Sequence, residues 1–386
     1  MQCSARHSPL FLGRGGAIDG QQRQVLYLSA GLAIRRMAPV IALDSDGPLC
    51  DELTRLGIEV HSSGMSSWRA PTRIFRRYAD ARRLLKIASG RKICVVHGHD
   101  VWRTEYARFV AKRLRVPYII HVRGPLSIRD IQKHRLALAD SVIAIAQRYA
   151  DDLLAGGVGH RRITLIDDAV DLTLFDPAIA TPAPVGDRSV ADGPVIGFAG
   201  RIVRSKLVCE FLEIVALLPA YARARPIVVI AGEWDDPAYG WEVRAGVSRL
   251  GLERTIRFVG RRPSREMPAF LAGIDMLVTL SGGSIMFEAM AMAKTVLSIR
   301  ADGRHSLHTR HSETAWCVNT TDRAICAQEL GRLLDDDELR RRLGTAARTW
   351  VAKKLSVDAM VMKTADLYDH LAKLGPRACE PVSSSS

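Results

Sequence analysis

The chain has 386 residues, 47% of them hydrophobic and 25% charged, with a formal net charge of +14. This length and composition suit a soluble globular protein of two ordinary domains, each with its own core. Seven scattered cysteines without CxxC spacing argue against a disulfide framework and for a reducing compartment. With no apolar leader and no run of membrane-spanning length, they predict a cytoplasmic protein.

Pro9 to Leu12 reads as a strand, Gly13-Arg-Gly-Gly-Ala-Ile-Asp-Gly20 as a glycine-rich loop, and Gln21 to about Arg36 as a helix. Strand, loop and helix in that order open a doubly wound domain, although the spacing is not the GxGxxG of a dinucleotide site. Val40 to Leu43 is the next strand and ends in Asp44-Ser-Asp46. A DxD there suits a divalent cation on a diphosphate, but three-residue matches are common and both are read as loop residues. A helix from Gly47-Pro48 to Leu56-Gly57 and a strand from Ile58 to His61 follow.

Arg69, Arg73, Arg76, Arg77, Arg82, Arg83, Lys86, Arg91 and Lys92 then crowd a segment whose single acid is Asp80. Ile74, Phe75, Tyr78, Ala81, Leu84, Leu85 and Ala88 recur at helical spacing, so 73–88 is an amphipathic helix with a cationic outer surface. A solvated face or contact with an anionic membrane both fit, whereas nucleic acid lacks its interleaved aromatics.

Ile93 to His97 and Pro117 to Val122 are strands ending in His97-Gly-His-Asp100 and His121-Val-Arg-Gly-Pro125, with a helix from about Trp102 to Leu114 between them. His97 and His99 have metal-ligand spacing without a third ligand nearby in the sequence. Hydrogen bonding at the sheet edge is the plainer role, and no metal is expected. Pro177 to Pro194 reads as a linker.

A second alternating set follows, with strands at Val195–Gly200, Pro226–Gly232, Thr255–Gly260, Met276–Leu280, Thr295–Ile299 and Ala315–Asn319. Arg201 and Lys206 beyond its first strand are fixed cations suited to a diphosphate. Ser281 to Ala293 reads as strand end, glycine turn and helix start, with Gly282 and Gly283 freeing the backbone, Ser284 as N-cap and Glu288 one turn inside. Such a turn seats a phosphate, and the Glu288 carboxylate suits two ribose hydroxyls. His305, His308 and His311 fill a later loop, the last helix runs from about Val357 to Leu374, and 375–386 should be disordered.

Phe287-Glu-Ala-Met-Ala291, preceded by Gly200-Arg201 and Lys206, resembles the donor half of retaining GT-B glycosyltransferases of family GT4. Ala139 to Gln147 is similar to that family's ADxVIAVS segment, and Ile163 to Phe175 matches VIxNGVDxxxF at Ile166, Val170, Asp171 and Phe175, with Asp168 and Ala169 replacing Asn-Gly. The resemblance implies an α/β GT-B fold, two Rossmann-like doubly wound domains facing each other across a cleft. These would be an acceptor-side domain at 1–176, a linker at 177–194, a nucleotide-sugar domain at 195–354 and a helix at 355–374 returning to the first. It implies a metal-independent, retaining transfer from a UDP- or GDP-sugar to a hydroxyl of a glycan or lipid-linked saccharide, in cell-surface polysaccharide or lipopolysaccharide synthesis. No cofactor is implied.

The resemblance also assigns residues. Arg201, Lys206, Gly282, Gly283, Ser284 and Glu288 would hold the donor, with Gly15 and Gly16 closing over it. His121 would face the transferred sugar. Arg123 is unusual beside it and is not part of the resemblance; its charge suits an acidic acceptor. The chain departs from the pattern at Leu280, where the first of two glutamates is lost, at Leu207 and Ala293, which replace glycines, and at Thr295, which replaces a proline. A non-catalytic nucleotide-binding scaffold at a membrane is the competing reading, and an epimerase acting on a nucleotide sugar is a third.

Overall fold

The structure, a computed structural model, describes residues 8–18, 20–68, 72, 74–183 and 193–375. Arg69 and Arg73, the middle of the expected linker and nearly all of the expected tail lie outside the described residues. The chain divides into two compact units, one of residues 1–169 with 357–386 and one of residues 170–356.

In the first unit seven strands form one parallel sheet: β1 (Ser8–Gly13), β2 (Val40–Leu43), β3 (Glu59–Ser62), β4 (Ile93–Gly98), β5 (Tyr118–Val122), β6 (Ser141–Ala144) and β7 (Ile163–Leu165), in the order β3-β2-β1-β4-β5-β6-β7. Connecting helices are α1 (Gly20–Ile34), α2 (Pro48–Arg55), α3 (Ile74–Ala88), α4 (Thr104–Leu114), α5 (Ile128–Lys133) and α6 (Gln147–Ala155), and the C-terminal helix (Val357–Leu374) belongs to the same unit.

Alternate residues of each strand enter opposite cores. Leu10, Leu12, Val40 and Ala42 pack with Ala81, Leu84 and Tyr106 on one face. Phe11, Ile41 and Leu43 pack with Leu28, Leu32, Val361 and Tyr368 on the other. Each buried Val, Leu, Ile or Phe among them contributes about 1.5–3 kcal/mol by leaving water, and burial on both faces is why these strands read as continuous apolar runs. Phe11 pairs with Ile41 on one side and His97 on the other, which fixes where β4 ends.

The expected apolar face of α3 is only partly a core face. Ala81, Leu84 and Ala88 are buried, but Phe75 is 91% exposed. Asp80 is not part of a solvent-facing charge pattern: it is buried and accepts the Ser66 N–H at 3.1 Å.

The second unit repeats the plan with β8 (Val195–Ala199), β9 (Ile227–Ala231), β10 (Ile256–Gly260), β11 (Met276–Thr279), β12 (Thr295–Ile299) and β13 (Trp316–Val318), all parallel and ordered β10-β9-β8-β11-β12-β13. Its helices are α7 (Val208–Leu217), α8 (Pro237–Arg249), α9 (Met267–Ala272), α10 (Ile285–Ala291), α11 (Arg323–Asp335) and α12 (Asp337–Lys354). In both units the order reverses beside the first strand, at β1/β4 and at β8/β11. At such a point the connections leave to opposite sides and open a crevice at the carboxyl ends of the strands.

Two residues that replace glycines of the resembled family keep the glycine backbone: Leu207 has φ 60° and Ala293 φ 55°. A left-handed non-glycine residue costs about 1–2 kcal/mol. The Ala293 turn is held there by α12, where a Cβ on Gly344 would meet the Ala293 carbonyl oxygen at 2.0 Å. Ala293→Gly should therefore stabilise the second unit by about 1 kcal/mol and raise its unfolding midpoint by about 2–4 °C in calorimetry. A lowered midpoint would show that the turn carries no strain.

Candidate functional site

The glycine turn after β11 lies at the reversal point of the second sheet. Gly282 and Gly283 have φ 72° and 121°, and the first helical bond of α10 runs from the Met286 N–H to the Gly283 carbonyl at 3.2 Å. The amides of Gly283, Ser284 and Ile285 thus precede the helical ladder. Gly282 differs from expectation, because its N–H donates to Thr279 Oγ1 at 3.0 Å. Ser284 differs too: it occupies the N-cap position in helical conformation, and its side chain makes no cap hydrogen bond.

Lys206 is brought to this turn, its Nζ 3.7 Å from where a Gly283 Cβ would stand and its stem against Gly200. Arg201, at the end of β8, is largely exposed and contacts Asp235 at 3.4 Å. Glu288 is buried in the first turn of α10. Leu280, where the family pattern has a glutamate, is buried in the core beside Ile299 and Phe198.

Sequence reasoning missed Arg300. Its Nη1 donates to the Ser281 carbonyl at 3.2 Å and lies 3.7 Å from a Gly282 Cβ position, while Asp302 pairs with its Nη2 at 2.9 Å. The signal was present, since Arg300 follows β12 as Arg201 follows β8.

In the first unit the Gly15 N–H donates to Asp44 Oδ1 at 3.0 Å, and Asp44 Oδ2 pairs with Arg103. The DxD aspartate is thereby committed to fixing the glycine loop. A Cβ on Gly15 would meet the Ser45 carbonyl oxygen at 1.8 Å, so glycine is required there; Gly16, at φ 86°, faces open space.

The two histidine groups fare differently in the fold. His305 bonds Ser298 and Asn319, His308 takes the Trp350 indole N–H and His311 accepts the Cys317 N–H, so the closely spaced trio diverges. His97 and His99 do acquire a third neighbour, His121 of β5. All three are buried, and one ring nitrogen of each lies within 4.8 Å of the others. Parallel strands at β4 and β5 make this juxtaposition, and sequence spacing cannot show it.

The proton positions follow from Arg123. Its guanidinium is buried and pairs with Asp168, while Nη2 donates to His121 Nδ1 at 3.3 Å. Arginine can only donate, so neutral His121 carries its proton on Nε2 and offers a donor there, not a metal-binding lone pair. His97 Nδ1 meets the Tyr368 hydroxyl at 2.6 Å. Burial, then the Arg123 charge, holds His97 down at about 3. Burial is also the first cause for His99, followed by the charges of His97 and Arg123, and for His121, followed by Arg123. Burial lowers Arg123 itself to about 9, still charged at neutral pH. Its expected role as reader of an acidic acceptor is corrected by Asp168, which already meets that charge.

Two family profiles match the chain, Glycosyltransferase Family 4 over residues 18–174 and Glycosyl transferases group 1 over residues 187–350. The chain belongs to glycosyltransferase family 4. It is 28% identical over 276 residues to D-inositol 3-phosphate glycosyltransferase of Salinispora arenicola, covering 65% of this chain and 59% of that protein. It is 28% identical over 291 residues to 2-deoxystreptamine glucosyltransferase of Streptomyces kanamyceticus, covering 67% and 72%. The chain spans about three fifths of the length of the inositol phosphate relatives that it matches.

A glycosyltransferase from Rickettsia africae superposes with TM-score 0.79 at 18% identity over 95% of this chain and 99% of that one. HepE of Anabaena, solved with UDP and glucose, superposes with TM-score 0.74 at 17% identity over 94% and 99%. These likenesses establish the GT-B fold of this family 4 chain.

Three buried neutral histidines make acid stability measurable. Their native pKa values lie below the unfolded value of 6.5. The unfolded chain therefore binds protons that the native state refuses as pH falls below about 6.5, and stability should decline by up to about 1.4 kcal/mol per pH unit for each histidine. Above that pH the term is constant. Three of the eleven histidines should show no ring titration by NMR between pH 7 and 5, while the unfolding midpoint falls. Titration of all eleven near 6.5 would contradict the buried cluster.

Proposed function

We propose that the chain moves a sugar from a nucleoside diphosphate sugar to a hydroxyl of a glycan or lipid-linked saccharide, with retention at the transferred carbon and without a metal. The observation that carries this reading is Lys206 Nζ above Gly283, at the reversal point of a family 4 sheet. Lys206, Arg300 and Arg201 would offset the diphosphate charge that a divalent cation otherwise meets, and would stabilise it as it grows on the leaving group. The amides of Gly283 and Ser284 would add donors at a helix start. Glu288 would take the ribose hydroxyls, and the His121 Nε2–H would donate to the sugar. Gly15 and Gly16 would shape the loop beside it.

The likeness to HepE, solved with UDP, favours a uridine donor. Leu280 in the core favours a second reading, a nucleotide-binding partner without turnover, because a sugar-orienting carboxylate is lost.

UDP, rather than GDP or ADP, should raise the thermal midpoint of the purified chain, unchanged by EDTA, because a ligand that binds only the folded state stabilises it. Lys206→Ala should weaken UDP about tenfold to a hundredfold by removing a charged hydrogen bond. No rise with any nucleotide at millimolar concentration would refute the donor site, and a rise without turnover of any UDP-sugar would support the partner reading.

Among the described residues no helix is long and apolar enough to cross a membrane. Phe75, exposed beside Arg76 and on the helix of Arg82, Arg83 and Lys86, instead supports a peripheral contact with anionic lipid. The protein should float with phosphatidylglycerol vesicles and not with phosphatidylcholine, and Phe75→Ser should weaken flotation severalfold. Equal behaviour on both vesicles would leave α3 a solvated face.

A further inference from the structure

The first unit contains a cleft of about 220 Å³ at the carboxyl ends of β4 and β5, and Arg14, His99, Asp100, Trp102, His121 and Arg123 are among the residues lining it. Its polar groups are unusually open. Asp100 Oδ2, both ring nitrogens of His99, His121 Nε2 and Arg123 Nε are buried without a hydrogen-bond partner. Each such group costs about 1–3 kcal/mol when left unmet, and so many together in one cleft wall mark a place built for a ligand.

Asp100 and Trp102 are mechanically joined. Asp100 Oδ1 accepts the Trp102 N–H at 2.8 Å and caps the short turn of Val101–Arg103. The Trp102 indole is 60% exposed, with His134 set edge-on to it at 4.9 Å and Lys133 Nζ 5.7 Å from its ring centre. An exposed indole fixed beside an open carboxylate pairs an apolar platform with an acceptor of hydroxyl protons.

The charges of the cleft argue against an anion. Asp168 meets Arg123, Arg103 is shared between Asp44 and Asp100, its Nε 3.7 Å from Asp100 Oδ2, and the histidines are neutral. Arg14 is then the remaining lining cation, with Lys133 at the indole beside it, and the Asp100 carboxylate would repel a phosphate brought to it. Hydroxyl groups both donate and accept without charge, so they match a wall that offers N–H donors and a carboxylate acceptor together.

We propose that Asp100 and Trp102 form the acceptor subsite, and that it takes a neutral polyhydroxylated six-membered ring: the ring lies on the indole and adjacent hydroxyls donate to Asp100. This rests on the glycosyltransferase reading given above and names its acceptor class.

The test uses the full chain, methyl pyranosides and myo-inositol as neutral probes, and glucose 6-phosphate as the anionic probe. Saturation-transfer NMR without nucleotide should detect the neutral rings, and Trp102→Ala should abolish that signal while Trp102→Phe retains part of it. In turnover with the nucleotide sugar that the chain accepts, Trp102→Ala and Asp100→Asn should each raise the acceptor KM about tenfold or more with a smaller change in kcat. The UDP thermal shift serves as the check that each variant is folded.

Turnover whose acceptor KM is untouched by either variant would overturn the subsite and leave the transferase reading intact. Ring binding that is lost in Trp102→Ala, in a chain that turns over no nucleotide sugar, would support the subsite and defeat the transferase reading. Glucose 6-phosphate binding more tightly than the neutral rings would overturn the neutral class.

Discussion

Strands buried on both faces can offer a ligand only their ends. That constraint places every candidate residue of this chain. In each sheet the strand order reverses beside the first strand, and there the carboxyl ends diverge enough to admit a ligand. Gly15, His97 and His99 stand at the β1/β4 reversal, and Gly200, Lys206 and Gly283 at the β8/β11 reversal. The apolar interior does not take part in chemistry, but its two-sided packing fixes the height at which each strand stops. One residue of slip in β4 would carry His97 from the sheet face toward Tyr368 to the opposite one.

A buried guanidinium stays buried only when it is paired. Arg123 meets that requirement with Asp168, and the pair explains two oddities of the sequence at once: an arginine after His121, and an aspartate where the resembled family pattern has asparagine. The same guanidinium, donating to His121 Nδ1, sets which imidazole nitrogen keeps its proton. One guanidinium thus decides the tautomer of His121, and after burial its charge is the next cause that lowers the basicity of His97 and His121.

The architecture was legible because parallel strands covered on both sides leave unbroken apolar runs, and because glycine turns punctuate them. Lys206, Gly282 and Gly283 were legible as a charged and flexible set after strands. Four things were not. The meeting of His121 with His97 and His99 depends on the pairing of β4 with β5, which local sequence does not encode. The Thr279 hydroxyl that takes the Gly282 amide belongs to a buried strand position that reads as apolar filler. Phe75 followed the helical period yet faces solvent, because period alone cannot say whether a neighbour exists to cover a face. Asp100 and Trp102 read as a loop acid and a helix start, and only the cleft gives them a common purpose.

The first unit is discontinuous in the chain. Its sheet is complete by residue 165, yet Met360, Val361 and Tyr368 close one of its cores, and the Tyr368 hydroxyl completes the bonding of His97. The second unit, residues 170–356, is continuous, and all of it is synthesised before those residues. Domains generally fold as units during synthesis, yet the earlier unit cannot complete its cores until all of the later one has been synthesised. It waits, with an uncovered apolar face and an unsettled histidine cluster, for the helix Val357–Leu374. The C-terminal helix is thus a timing element as well as a packing one.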